Sequence, residues 1–159
     1  MTRKLSLAAL CIALSAVGAA IKIPAVIGSV ALDIFPSLIA AAILGGGAGA
    51  VIASFGHLLS ALIGGMPLGP FHLIIAIEMA IIVALFGWFY RIGHRKKAGL
   101  IFWLGNTFAA PLPFLLLMGR EFYVAIVPSL AIGSALNVVL ALAVAPRLTP
   151  IFVREWGNR

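Results

Sequence analysis

The amino-acid sequence predicts an all-α integral membrane protein: a bundle of six transmembrane helices with both termini in the cytoplasm. Of its 159 residues, 64% are hydrophobic and only 9% are charged. Soluble domains carry about 25% charged residues, and a chain this short cannot bury so much apolar surface in a core surrounded by water. The apolar residues fall into long runs separated by prolines, glycines and basic residues. A lipid bilayer is therefore the expected solvent.

Six apolar runs locate the helices. A helix needs about 20 apolar residues to cross the hydrocarbon core. The runs predict one transmembrane domain, residues 1–159, with spans at about 5–23, 31–44, 48–63, 71–90, 100–117 and 122–145. The second run is the shortest, and the glycine cluster 45–49 that follows it is expected to form a tight interhelical turn. Pro24 ends the first run, and Pro146 is expected to begin a polar tail.

The basic residues set the predicted orientation. An even number of spans brings both termini to one side. That side holds nine of the eleven lysines and arginines, namely Arg3, Lys4, Arg91, Arg95, Lys96, Lys97, Arg147, Arg154 and Arg159. Only Lys22 and Arg120 fall on the other side. Because cytoplasmic loops are enriched in basic residues, the termini are expected inside. The run 91–97 also suits anionic lipid, but a positive loop is expected here in any case, so no nucleic-acid partner is predicted.

Prolines predict where a cavity lies. Seven of the nine fall at the external end or in the external half of their spans: Pro24, Pro36, Pro67, Pro70, Pro111, Pro113 and Pro128. A proline inside a helix removes one hydrogen bond and pushes away the carbonyl four residues back. Pro111 and Pro113 should therefore free the carbonyls of Thr107 and Ala109. Irregular backbone within a membrane persists only where it is buried in protein or lines a cavity. We expect a cavity in the external half, with ordinary helix kinking as the alternative.

Polar side chains inside the spans are the candidate functional residues, since they are costly in lipid. They are Asp33, His57, His72, Glu78, Asn106 and Asn137. His57 and Glu78 lie about equally far from the turn around Pro67. They are expected at similar depth, where they pair with each other or face a polar ligand. His72 begins the fourth span and serves either ligand entry or anchoring at the membrane interface.

The two asparagines and the aspartate leave further alternatives open. Asn106 and Asn137 flank the turn near Gly119 at matching depth. Each either joins helices through an interhelical hydrogen bond, which is common in membrane bundles, or contacts a ligand. Asp33 opens the short second span, where it either caps the helix or lies at the hinge of a lid over the cavity.

Several chemistries lack their sequence signatures. Cys11 is the single cysteine, which rules out an intramolecular disulfide and a cysteine-based metal cluster. The sequence contains no GxxxxGK[ST], HExxH, GxSxG or CxxC motif. No cofactor, metal site or catalytic residue is predicted.

A close-packing pattern marks the first span. Ala9 and Ala13 are small residues four apart, and such pairs let two membrane helices approach closely.

Together these features resemble the substrate-binding S component of energy-coupling factor (ECF) transporters. The resemblance covers almost the whole chain. It begins at Arg3-Lys4-Leu5-Ser6-Leu7 and includes the Ala9/Ala13 pair. Three stretches carry it most specifically: IKIPAVIGSVALDIFP (21–36), GHLLSALIGGMPLGPFHLIIAIEMA (56–80) and APLPFLLLMG (110–119). They look most like the S component for α-ribazole, the nucleoside precursor of the lower ligand of cobalamin.

The resemblance implies a transport subunit in a prokaryotic cell membrane and not an enzyme. It implies that the S component binds α-ribazole outside. It further implies that a transmembrane coupling subunit, docked at Ala9 and Ala13, and two cytoplasmic ATPases would then drive import while the S component topples in the bilayer. The loop 24–32 would close over the site. Matching site positions would be Asp33, His57, His72, Glu78, Asn106 and Asn137, and Phe35, Phe71 and Phe114 are candidates for stacking on the benzimidazole ring.

Three alternatives remain. The nearest is an S component for another vitamin, such as biotin. A small polytopic membrane enzyme, with His57, His72 and Glu78 as catalytic or metal-ligating groups, would show turnover or bound metal. A purely structural subunit would bind no ligand.

Overall fold

The structure, a computed structural model, describes residues 2–24 and 29–157 as a helical bundle with one short ribbon. The elements in chain order are α1 (Thr2–Ala20), β1 (Lys22–Pro24), β2 (Ser29–Ala31), α2 (Phe35–Leu44), α3 (Gly46–Ile63), a 3-10 turn (Gly69–Phe71), α4 (His72–Arg91), α5 (Arg95–Leu104), a π-helical segment (Gly105–Ala109), α6 (Leu112–Leu117) and α7 (Arg120–Gly157).

Within the described ranges, five helical stretches are long and apolar enough to cross a membrane: Arg3–Ala20, Gly46–Ile63, Gly69–Arg91, Arg95–Leu117 and Arg120–Phe152. The predicted apolar helical bundle is confirmed. The sixth apolar helix, α2, has only ten residues, so it rises about 15 Å. That is half of a hydrocarbon core of about 30 Å.

The segment between α1 and α2 differs from the prediction. Residues 22–24 pair antiparallel with 29–31, with Lys22 opposite Ala31, so the predicted helical ends at 23 and 31 are wrong. The contact with α1 explains this. The Leu32 amide donates to the Gly18 carbonyl at 3.1 Å, and a side chain at Gly18 would collide with the Leu32 backbone. Of the loop expected to close over the site, residues 25–28 lie outside the described part.

The last helix also corrects the sequence analysis. A polar tail was expected from Pro146, but α7 continues through Pro146 and Pro150 to Gly157. Packing supports this continuation, since Ala145 is fully buried in the core of the bundle and Leu148 packs against that core. The Thr149 hydroxyl also donates to the Ala145 carbonyl at 2.7 Å. Prolines are tolerated in membrane helices where such contacts compensate.

The core lies where α2, α4, α5 and α7 meet. Leu38, Val83, Phe86, Phe102 and Ala141 are completely buried there. The rings of Phe86 and Phe102 meet edge to face, with centroids 6.4 Å apart, an arrangement that aromatic pairs prefer. This cluster fixes α2 in the centre of the bundle.

Small residues bring α2, α3 and α4 together. Gly45 has φ 103° and makes a tight turn between α2 and α3. The turn was predicted over 45–49, but residues 46–49 already belong to α3. On the facing helix α4, a Cβ on Gly87 would lie 2.6 Å from Cα of Gly46 and 3.1 Å from Cβ of Ala41. The helix axes can approach this closely only because no side chain intervenes.

We predict that Gly87→Ala destabilises the protein by about 1–3 kcal/mol, the usual cost of forcing extra atoms into a packed core. Thermal unfolding of the detergent-purified protein measures the effect. Gly47→Ala is the matched control, because a Cβ there meets nothing within 4 Å. Its stability should be unchanged or slightly higher. Equal melting temperatures for the two variants would contradict the close approach of α3 and α4.

Candidate functional site

A cavity of about 370 Å³ lies between residues 31–34, α3, α4, the π-helical segment and α7. Ile34, Ile75, Met79, Ile126 and Leu130 form apolar walls. Its polar side chains are Asp33, His57, Asn106, Ser129, Ser134 and Asn137. Four of the six predicted polar residues, Asp33, His57, Asn106 and Asn137, are thus brought together.

The short central helix explains the position of the cavity. Because α2 begins only at Phe35, the bundle next to the β ribbon has no central helix to fill it. The residues that lead into α2, among them Ala31, Asp33 and Ile34, line the space instead.

Asn137 ties these residues to α7. Its Nδ2 donates to the carbonyls of Ala31 at 2.9 Å and Gly133 at 2.8 Å. Its Oδ1 accepts from the Phe35 amide at 2.8 Å. That amide is one of the first N–H groups of α2, which have no partner within their own helix. Asn137 therefore acts chiefly as the interhelical link, one of its two predicted roles, although its side chain also borders the cavity.

Asn106 reaches the cavity from an irregular stretch of helix. It lies in the π-helical segment, where the Ala110 amide donates to the Gly105 carbonyl at 2.8 Å. The widened turn directly precedes Pro111, which cannot donate to the Thr107 carbonyl. Asn106 Nδ2 donates to the Ser134 hydroxyl at 2.7 Å. Among the described residues, the side-chain amide of Asn106 makes this one hydrogen bond. Its Oδ1 can therefore accept a hydrogen bond from a ligand.

Asp33 is held from α3 and does not cap α2. The N-cap of α2 is Ile34, with no side-chain capping bond, so the predicted cap is wrong. Instead the Ser60 hydroxyl donates to Asp33 Oδ2 at 3.2 Å. Asp33 precedes α2, outside the membrane-spanning helices. Burial raises the pKa of its carboxyl, whereas the hydrogen bonds from Ser60 and the Ile34 amide act in the opposite direction.

The two membrane histidines contact each other. His57 Nε2 and His72 Nδ1 are 3.1 Å apart, and the Leu68 amide donates to His72 Nε2 at 3.3 Å. His57 lines the cavity and His72 lies behind it, only 6% exposed. A direct pair of His57 with Glu78, one of the sequence-based alternatives, is not formed.

The other candidates lie beside the cavity or away from it. Glu78 and Phe114 line a smaller cavity of about 60 Å³, which shares Asn106 with the larger one. Glu78 Oε2 is buried without a hydrogen-bond partner among the described residues. Phe71 meets Phe114 edge to face, with ring centroids 6.0 Å apart. Phe35 packs against the core and does not line the cavity.

Sequence reasoning missed the contribution of one face of α7. Ser129, Gly133 and Asn137 recur every four residues, and Ile126, Leu130 and Ser134 follow the same spacing beside them. Residues four apart share a helix face. Small and polar residues at this spacing within an otherwise apolar run were the signal that could have identified this wall.

The candidate docking residues lie on the outside of α1. Ala9 and Ala13 are both exposed. Ala9 lies in an apolar groove between α1 and α3, together with Ala8, Val51 and Phe55.

Comparison with known protein families gives one match. The family described as "ECF transporter, substrate-specific component" matches residues 3–157. The chain belongs to this family. It is therefore a multi-pass membrane protein and a substrate-binding subunit of an ECF importer, with a small-molecule substrate and with the ECF coupling and ATPase subunits as partners. No curated protein and no solved structure matches it.

For this S component we predict that Asn137→Ala lowers the free energy of unfolding by about 1–3 kcal/mol, because the Phe35 amide and the Ala31 carbonyl lose their partner. Chemical denaturation in detergent measures the loss. Asn106→Ala is the control, since its amide makes the single bond to Ser134, and its loss should be smaller. Equal losses would mean that Asn137 is not the link between α7 and the start of α2.

Proposed function

We propose that this S component captures α-ribazole outside the cell and delivers it inward as one step of ATP-driven import. The cavity of about 370 Å³ carries the proposal. Sites for small molecules usually measure about 300–1,000 Å³ and combine apolar walls with a few placed polar groups. The cavity has this size and this composition. It lies in the half of the bundle that the distribution of basic residues assigns to the outside.

The two adjoining cavities suit a ligand of two parts. α-Ribazole joins an apolar dimethylbenzimidazole to a polyhydroxylated ribose. The ribose would occupy the larger cavity, where Asp33, His57 and Asn106 offer hydrogen bonds. The ring would lie at the boundary with the smaller cavity, against Phe114 and with Phe71 behind it. Glu78, whose Oε2 has no partner among the residues that the structure describes, borders the same place.

Charge favours α-ribazole over biotin. Asp33 is the acidic side chain of the larger cavity, and none of its described lining residues is lysine or arginine. The carboxylate of biotin would lie near Asp33 without a described cation to pair with it. Burying a carboxylate without a cation in this low-dielectric interior opposes binding by several kcal/mol. An uncharged nucleoside avoids this cost.

Calorimetric titration of the detergent-purified protein with α-ribazole, with biotin as the comparison ligand, tests the substrate. We expect tight binding of α-ribazole and none of biotin. Asn106→Ala should weaken α-ribazole binding about tenfold, which corresponds to the loss of one well-made hydrogen bond. Glu78→Gln should weaken it as well.

Thr107→Val is the matched control for this titration. Thr107 neighbours Asn106 but lines neither cavity, and its buried hydroxyl has no hydrogen-bond partner among the described residues. This variant should bind α-ribazole normally. Unchanged affinity in both the Asn106 and Glu78 variants would refute the proposed polar contacts. Binding of biotin without binding of α-ribazole would refute the proposed substrate in favour of biotin.

Transport would follow from docking on the coupling subunit. Ala9 and Ala13 present an exposed surface without bulky side chains, which suits close helix–helix contact. The bound S component would then topple in the prokaryotic cell membrane, with its termini cytoplasmic, and release the ligand inward.

Ala9→Leu and Ala13→Leu are predicted to abolish copurification with the coupling subunit and the ATPases while α-ribazole binding to the isolated protein is retained. Ala143→Leu is the control, because Ala143 is equally an exposed alanine but lies on α7. It should copurify normally. Loss of copurification in all three variants would point to a general effect of added bulk and would contradict docking at α1.

A further inference from the structure

The hydrogen bonds around the two histidines have a defined direction. A backbone amide can only donate, so the Leu68 N–H makes His72 Nε2 an acceptor, at 3.3 Å. A neutral imidazole has one N–H and one acceptor nitrogen, so the proton of His72 lies on Nδ1. That N–H points to His57 Nε2, 3.1 Å away.

The direction of this second bond assigns the tautomer of His57. Because Nε2 of His57 accepts, its proton lies on Nδ1. His57 lines the larger cavity. Its only hydrogen bond in the described part of the chain is the one to His72. The Nδ1–H is therefore left as a donor for a ligand.

An acceptor lies next to this donor. His57 and Ser60 are three residues apart on α3, so their side chains are neighbours on the helix surface. The Ser60 hydroxyl donates to Asp33 Oδ2 at 3.2 Å and thereby holds the carboxylate on the same side of α3. Asp33 also lines the cavity. The wall thus offers a donor and an acceptor side by side.

We infer that His72 is a positioning residue, which together with the Leu68 amide fixes His57 as a hydrogen-bond donor toward the cavity, beside the acceptor of Asp33. The inference rests on the proposed function, since it names what the transported ligand presents at this wall. The matching ligand carries an acceptor and a donor on neighbouring atoms, as the vicinal hydroxyls of a ribose do.

Nitrogen-15 NMR of histidine-labelled protein tests the tautomers without any ligand. The chain has three histidines, and a His94→Gln background leaves only the pair. Both residues should show a protonated Nδ1 and an unprotonated Nε2, which is the minor tautomer of free histidine. A protonated Nε2 on either residue would overturn the inference.

Variants of His72 separate positioning from a structural role. His72→Leu removes the donor to His57 and should weaken α-ribazole binding about tenfold. His72→Asn places an amide N–H near the former Nδ1 and should restore much of the affinity, although the Leu68 amide still lacks its acceptor. If the two variants bind equally poorly, His72 only supports the loop and the inference fails.

The free base dimethylbenzimidazole, which lacks the ribose hydroxyls, is the matched control ligand for α-ribazole. Its affinity should be the same for the wild type and for His72→Leu. Equal weakening of both ligands would contradict a contact between His57 and a hydroxyl.

Failure of the proposed substrate is distinguishable from failure of this inference. If the wild type binds neither α-ribazole nor the free base, the proposed substrate is wrong, and the NMR result alone decides the tautomers. A thermal-shift screen of uncharged nucleosides, each paired with its 2′,3′-dideoxy form, then decides the ligand class. Stabilisation only by the nucleosides that carry the 2′,3′-diol supports the inferred ligand class, and stabilisation by none of them overturns it.

Discussion

The side-chain amide of Asn137 holds together the part of the molecule on which the cavity depends. It joins α7 to the carbonyl of Ala31 and to the first amide of α2 at Phe35. The Phe35 amide has no partner within its own helix, and an unpaired backbone group is expensive away from water. A single side chain from a distant part of the sequence therefore sets where α2 begins, and so where the space beyond it opens.

The two halves of the bundle are built differently as a result. Around Gly45, α2, α3 and α4 approach so closely that a Cβ at Gly46, Gly49 or Gly87 would collide with a neighbouring helix. In the other half α2 is absent, the chain forms a β ribbon, and the helix before Pro111 widens into a π-helical turn. The tightly packed half supplies a rigid base, and the irregular half supplies the cavity that we propose as the ligand site.

Polar groups in this cavity are partly committed to one another. Ser60 holds Asp33, Ser134 accepts from Asn106, and His72 holds His57. Each pair fixes one edge of a side chain. Asn106 and His57 keep a second edge for the proposed ligand, whereas the Asp33 carboxyl also accepts from the Ile34 amide. Because a polar group in a low-dielectric interior is costly when unpaired, such an arrangement favours a ligand that completes these hydrogen bonds over one that is merely apolar. This is the physical basis of the proposed preference of a mostly hydrophobic cavity for a hydroxylated molecule.

The sequence by itself determined the solvent, the helices and the candidate polar residues. Hydropathy is a local property that adds up along the chain, so the apolar runs, the turn at Gly45 and the irregularity before Pro111 could be predicted residue by residue. Tertiary structure decided the rest. It ended the first helix at Ala20, delayed α2 to Phe35, carried α7 past Pro146 and paired His57 with His72. Those outcomes depend on how each helix is rotated and which neighbour it meets, and packing between residues distant in sequence sets both.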